Sequence, residues 1–410
     1  QEMLNYEELL ISGNMICPFP KMENIRLRMG GIQPTELKDL MENEFYNIEV
    51  MEAAACVLGS IYYGQPNEYD TIYPNIRLRH WLKNLKSKDE KGDFDKTGTY
   101  QVDLKNSKNF AMIKACSTQS GNLIHEYFVG VYGANKLRKF VPNFGYIMGG
   151  FKCSPPIINS DDNNDVVSWC MGNIGNKVKI NYILYEKVEP GTTFRNYVRN
   201  CNHVQFINKY LQVLYALNKA NETIDFTHYD LHHENVILRK LNNGKSNIRY
   251  ETENGIEFLQ TDMVSTIINY TYSHISLNLQ DENNIVKRHF GVNDKLTYGI
   301  FPDRKFPLYD AYKLLLFCMH EMLESKNYSC FKAAAIILRF FNIDEHPEDI
   351  VKYQRSTYYY LPYTDILSKM SNLDLASYIR KHFRSDTDRF ISRKPFGINL
   401  LVCDGFNLCS

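Results

Sequence analysis

Apolar residues recur with a helical period over 36–61, where Leu37, Leu40, Met41, Phe45, Ile48, Met51, Ala54, Ala55 and Leu58 share one face, and 75–85 predicts a second, shorter helix. Pro18-Phe19-Pro20 and Gly30-Gly31 mark loops ahead of the first helix. The pattern changes from Gly92. Residues up to Leu104 and the run Phe110-Ala111-Met112-Ile113-Lys114-Ala115 flank a polar turn at 105–109 and predict the two strands of a hairpin. Residues 120–140 predict a helix with Leu123, Phe128, Val129, Tyr132 and Leu137 on its apolar side, and 141–152 predicts another strand region. After an Asp- and Asn-rich loop at 161–165, the apolar run 180–188 predicts a strand that breaks at Pro190-Gly191 and leads into a helix. Residues 206–220 predict an apolar helix, 236–238 and 264–268 predict strands, and 308–317, 333–341 and 373–383 predict further helices.

Length and composition narrow this picture. A chain of 410 residues suffices for two or three domains, or for one large two-lobed domain with an extension, and 44% hydrophobic residues fill a complete core. The 47 acidic and 47 basic residues cancel, so no whole-protein field favours nucleic acid or a membrane. The ten cysteines, Cys17, Cys56, Cys116, Cys153 and Cys170 among them, form no C-x-x-C pair and have no His at metal spacing. That pattern argues against a zinc site and a disulfide framework and points to a reducing compartment. No apolar run reaches the roughly 18 residues that span a bilayer. Gln1-Glu2-Met3 opens no signal peptide, so a cytoplasmic protein is expected, in a host cell or virion if viral.

The chemistry concentrates at Phe226-Thr227-His228-Tyr229-Asp230-Leu231-His232-His233-Glu234-Asn235, a loop running into the strand at 236–238. Phosphoryl transfer needs a carboxylate that accepts or orients the proton of the attacking hydroxyl. It also needs, five positions on, a carboxamide that turns back to hold a metal against the phosphates. Asp230 and Asn235 have that spacing, and His228 is placed to lock the loop through backbone hydrogen bonds. A His-x-Asp before an apolar run is equally the wording of a turn with a hydrogen-bonded Asp, so the other motifs decide.

The loop resembles the H-R-D-L-x-x-x-N signature of protein kinases, and F-A-M-I-K-A resembles their V-A-I-K strand. Further stretches are similar to protein kinases of large DNA viruses: L-I-H-E-Y-F-V-G, N-K-L-R-K-F-V-P-N-F-G-Y, Y-E-K-V-E-P-G, T-I-I-N-Y-T-Y-S-H-I and P-L-Y-D-A-Y-K-L-L. Together they cover roughly 92–323. The resemblance implies an α+β, bilobal protein-kinase-like fold, with a helical N-terminal extension at 1–91, a small β-rich N-lobe at 92–188 and a larger helical C-lobe at 189–410. It implies Lys114 on the phosphates of ATP, Glu126 holding Lys114, and Gly98 letting the backbone approach phosphate. It implies Tyr185 gating the back of the cleft, the backbone of Glu186 and Val188 on adenine, Asp230 as base or hydroxyl orienter, Asn235 as a ligand to Mg2+, and Asp310 bracing the loop from below. The expected activity is transfer of the γ-phosphoryl of ATP to a protein hydroxyl, Ser/Thr rather than Tyr. The N-terminal helices read first as an extension packed on the next domain, with a docking module for a partner as the alternative.

The match has departures. Tyr229 replaces the Arg that receives an activation-loop phosphate in many kinases, and His232 stands where many Ser/Thr kinases carry a phosphate-contacting Lys. The Gly-rich loop is degenerate, and the twelve positions from Lys114 to Glu126 are fewer than usual. D-L-H-x-x-N is also the wording of aminoglycoside and choline phosphotransferases, which keeps a small-molecule kinase as an alternative. For the metal-binding Asp, two registers compete. Asp262-Met263-Val264 keeps the carboxylate, whereas Asn269-Tyr270-Thr271 follows an apolar strand, as a metal ligand should, and leaves a segment of ordinary length before Asp310. The second is favoured, and it puts a neutral side chain at the metal position. That opens a pseudokinase alternative, a nucleotide-binding or scaffold module.

Overall fold

A computed structural model describes residues 86–87, 98–116 without 105–106, 122–168 without 154–156 and 159–165, 180–292 without 189, 242–243 and 282–283, and 299–409 without 343–346, 350–360, 362–363, 366, 396, 398–399 and 404–406. The helices expected at 36–61 and 75–85, and the stretch just ahead of Gly98, lie outside the described residues.

The first sheet grows from the expected hairpin, β2 (Gly98–Leu104) with β3 (Ser107–Cys116). β1 (Lys86–Ser87) pairs outside β2, β7 (Ile180–Glu186) pairs on the far side of β3, and β4 (Ile147–Cys153) closes the order β1-β2-β3-β7-β4, all antiparallel. β5 (Ile157–Ile158) and β6 (Val166–Ser168) form a separate ladder. Lys114 sits at the middle of the sheet, opposite Thr99 and Ile183. Gly98 is the first residue of β2 rather than a loop residue before it, because it already pairs with Ala115.

The helix expected at 120–140 is broken into α1 (Asn122–Phe128), a π-helical stretch (Val129–Ala134) and α2 (Asn135–Leu137). A Cβ at Gly130 would lie 1.9 Å from Cδ1 and 2.6 Å from Cγ1 of Ile147, so helix and β4 approach to a distance only glycine permits. The strand expected over 141–152 begins at Ile147 because the backbone before it is used elsewhere. Ile267 N–H donates to Asn143 O at 2.7 Å, Gly145 N–H to Ile267 O at 2.7 Å, and Arg138 to Phe144 O at 2.7 Å.

The rest is built round α4 (His203–Ile224), buried without a break from Phe206 to Asn218. A capping box starts it, Asn202 and Gln205 satisfying each other's backbone N–H groups. Its buried polar side chains are paired: Lys209 donates to Thr261 Oγ1 and Asp262 Oδ1, both at 2.6 Å, and Gln212 accepts from Ser265 N–H at 2.9 Å. α3 (Phe194–Val198), α5 (Pro307–Glu324), α6 (Tyr328–Leu338) and α7 (Asn372–His382) pack with it. A small sheet of β8 (Gly191–Thr193), β9 (Val236–Lys240) and β12 (Met263–Ile267), in the order β12-β9-β8, carries the loops of the site. The polar stretch before Asp262 is a hairpin, β10 (Ser246–Thr252) with β11 (Gly255–Thr261), joined by β15 (Ile391–Ser392). A second hairpin, β13 (Ile275–Asp281) with β14 (Asn284–Phe290), was not anticipated from the sequence. One apolar core runs from Phe144 and Ile183 through Tyr210 and Phe226 to Leu315. The mixed sheet and helix content fits a kinase-like fold. Among the described residues no helix is long and apolar enough to cross a membrane.

Candidate active site

Between the first sheet and the body lies a cleft of about 390 Å³, within the usual range for small-ligand sites. Met112 and Lys114 line it from one face of β3, two residues apart as strand alternation requires. Lys114 Nζ donates to Glu126 Oε2 at 2.7 Å, to Asn269 Oδ1 at 2.9 Å and to Thr271 Oγ1 at 2.9 Å. Glu126, on α1, is fully buried, and its second oxygen accepts from Tyr270 N–H at 3.0 Å. The short spacing from Lys114 to Glu126 therefore does not keep the two apart.

The loop ahead of β9 is clamped from α5. Asp310 accepts from His228 N–H at 2.6 Å and from Tyr229 N–H at 2.8 Å. Burial pushes the Asp310 carboxyl up to about 7 against the opposing pull of those two donors. The clamp allows Tyr229 a φ of 60°, a costly value for a bulky residue. Its ring is buried and its hydroxyl donates to Arg304 O at 2.8 Å, so it serves as a core anchor where many kinases have Arg. His228 donates from Nε2 to Ile268 O at 2.9 Å and accepts at Nδ1 from Asp230 N–H at 3.2 Å. Burial pushes its pKa down to about 4, which keeps the ring neutral and both bonds available at once.

Asp230 is partly exposed. Its Oδ1 accepts from Lys313 Nζ at 2.6 Å, and Oδ2 lies 3.8 Å from His232 Nε2. Asn235 turns back as its spacing suggests: Nδ2 donates to Asp230 O at 2.8 Å, and Oδ1 accepts from Asn269 Nδ2 at 3.1 Å. Asn269 follows the end of β12 with a φ of 69°, a left-handed conformation that Asn tolerates better than most residues. Tyr270 is buried, its hydroxyl within 2.8 Å of Gly145 O and 3.0 Å of Ile267 O. Asp262 lies on the β11–β12 turn, half exposed and paired with Lys209.

The structure thus brings Lys114, Glu126, Asn235 and Asn269 to one cleft, and ties Asp230 to it through the hydrogen bond from Asn235 to the Asp230 carbonyl. Val188 lines the cleft, as does Glu186, but two features of Glu186 depart from expectation. Its N–H donates to Tyr146 O at 2.9 Å, so a ligand can use at most its carbonyl. Its side chain is buried between Arg138 at 2.8 Å and Arg239 at 2.7 Å. Burial raises that carboxyl, but the two guanidinium groups outweigh it and hold its pKa below the usual range. Sequence reasoning missed Lys313 and Thr271. Lys313 stands three residues after Asp310, so both reach the loop from one face of α5, a spacing that could have identified it.

The donor set at the expected metal position is two carboxamide oxygens, Asn235 Oδ1 and Asn269 Oδ1, each already accepting a hydrogen bond. Magnesium is ordinarily held by one or two carboxylates besides substrate phosphates. Among the described residues no carboxylate joins this pair, since Glu126 is committed to Lys114, Asp230 to Lys313 and Asp262 to Lys209, and no cluster of three His, Cys, Asp or Glu side chains could hold a metal. The residues present do not fit a resident Mg2+.

No protein-family model matches the chain. A solved kinase-domain structure aligns with 47% of this chain and 52% of its own length, at 14% identity and a TM-score of 0.26. A probable kinase of Invertebrate iridescent virus 3 is 23% identical over 360 residues, which cover 80% of this chain. The chain spans 58% of that relative's length. The protein-kinase-like proteins of large DNA viruses, whose motifs its loop and strands repeat, are therefore what this chain is similar to over most of its length.

Proposed function

We propose that the chain is an ATP-dependent phosphotransferase of the protein-kinase type that transfers the γ-phosphoryl group to a protein hydroxyl. The observation that carries this reading is the convergence on one cleft of a buried Lys–Glu pair, Lys114 with Glu126, and the clamped Asp230–Asn235 loop. In this reading the five-stranded sheet is the N-lobe of a bilobal enzyme and the α4 body its C-lobe. Adenine lies between Met112, Val188 and Ile237, three apolar side chains of the cleft, with Gly98 on the strand beside Lys114. Lys114 draws the phosphates in. Asp230 Oδ2, the oxygen not held by Lys313, orients the substrate hydroxyl and takes its proton. Any magnesium arrives on the nucleotide as part of the substrate. Residues 1–91 remain the candidate docking segment for a partner.

Asp230→Asn is expected to lower phosphotransfer from radiolabelled ATP by about 10²–10⁴-fold while ATP still raises the melting temperature. Undiminished transfer by this variant would remove Asp230 from the mechanism.

One observation favours a second reading. Asn269 and Asn235 are hydrogen-bonded to each other where a kinase holds its metal, which suits a pseudokinase that binds nucleotide without turning it over. Stabilisation by ATP with no transfer to any protein or to the chain itself would select it.

A further inference from the structure

The Asp230 carboxylate is partly exposed, and a neighbouring cation holds one of its oxygens. The loop itself supplies none. His232, the loop side chain nearest Asp230 Oδ2, is 3.8 Å away, and burial lowers its pKa, so the ring is neutral at physiological pH. The cation comes from below. Lys313 on α5 is 4% exposed, and its Nζ donates to Asp230 Oδ1 at 2.6 Å and to Tyr229 O at 3.1 Å. Burying an ammonium group is costly unless it is paired and hydrogen-bonded, and here both partners belong to the loop. One face of α5 thus grips the loop twice: Asp310 takes two of its N–H groups, and Lys313, one turn on, takes a carbonyl and the carboxylate itself.

We propose that Lys313 is the positioning residue for Asp230, fixing Oδ1 so that Oδ2 faces the substrate hydroxyl and supplying from α5 the positive charge that the loop lacks. The inference rests on the phosphotransferase reading. A purely structural Lys313 would brace the Tyr229 carbonyl and be indifferent to the charge on Asp230. The pairing makes Lys313 matter only as much as Asp230 is ionised.

Two measurements on the full chain separate these. In kinetics with ATP, Lys313→Met is expected to lower kcat about 10²-fold with KM for ATP within about twofold of wild type. Lys313→Arg is expected to recover most of kcat. In thermal unfolding, Lys313→Met is expected to lower Tm in the wild-type background and to lower it less, or raise it, in the Asp230→Asn background. If Lys313→Met alone fails to fold, a folded double variant supports the pairing and an unfolded one overturns it. Equal Tm losses in both backgrounds, or a kcat as low in Lys313→Arg as in Lys313→Met, would overturn the proposal. The unfolding cycle needs no activity: a chain with no phosphotransfer but clear coupling sinks the enzymatic reading, whereas transfer without coupling sinks this inference alone.

Discussion

Asn269 differs from Asp by one heavy atom, and with it by a full negative charge at the expected metal position. An Asp at this position would keep the left-handed backbone, since Asp shares the tolerance of Asn for it. Its carboxylate would lie where Oδ1 now meets Lys114 at 2.9 Å, with Asn235 Oδ1 alongside as a second oxygen. Wild-type chain is expected to gain similar thermal stabilisation from ATP with EDTA as with magnesium. Asn269→Asp is expected to gain more with magnesium, a tenfold tightening corresponding to about 1.4 kcal/mol. A variant whose ATP response ignores magnesium would show that the neutral side chain is not what keeps the metal out. At this scale the turn that brings Asn235 back onto the Asp230 carbonyl was readable because it depends on a spacing within one loop. Lys313 was not read because its partner lies 83 positions away, and only the shared face with Asp310 hinted at it.

Among the elements, those readable in advance carry their periodicity within themselves. α4 is apolar enough to be recognised and extends the expected 206–220 by a turn at its C-terminal end, to an Asp225 with a φ of 50°. The β13–β14 hairpin also carries its sign, Ile275, Leu277 and Leu279 alternating with Ser276, Asn278 and Gln280, and was passed over. The π-helical stretch is different: Gly130 within it lies against Ile147 of β4, a contact that the helix's own periodicity does not announce. Gly130→Ala is therefore expected to destabilise the fold by about 1–3 kcal/mol, the usual cost of overpacking, seen as a lower midpoint in urea. The double variant with Ile147→Ala should recover part of that loss, since the clash is with the Ile147 side chain. A Gly130→Ala chain as stable as wild type would mean that helix and strand can separate at no cost.

For the molecule as a whole, buried imidazoles set the acid limit of stability. Burial pushes His228, His233 and His274 down to about 4 from an ordinary 6.5, so between those values the unfolded chain binds more protons than the folded one and stability falls as pH falls. Asp310, raised to about 7, opposes this, since the folded chain keeps a proton there that the unfolded chain releases. Burial lowers His125 and His232 as well, so the imidazoles outnumber the one raised carboxyl and Tm is expected to drop between pH 6.5 and 4.5. A Tm that rises over that interval would show the imidazoles to be charged inside the fold. The same reasoning about buried partners applies to Tyr270, whose hydroxyl meets two carbonyls and whose N–H donates to Glu126. Swinging that ring out of its slot would take the hydroxyl from the buried Gly145 and Ile267 carbonyls, a lost partner on a buried group costing on the order of 1–3 kcal/mol. Compounds that need the ring displaced must supply that free energy from their own affinity, so ligands for this cleft are best designed to fill it as it stands.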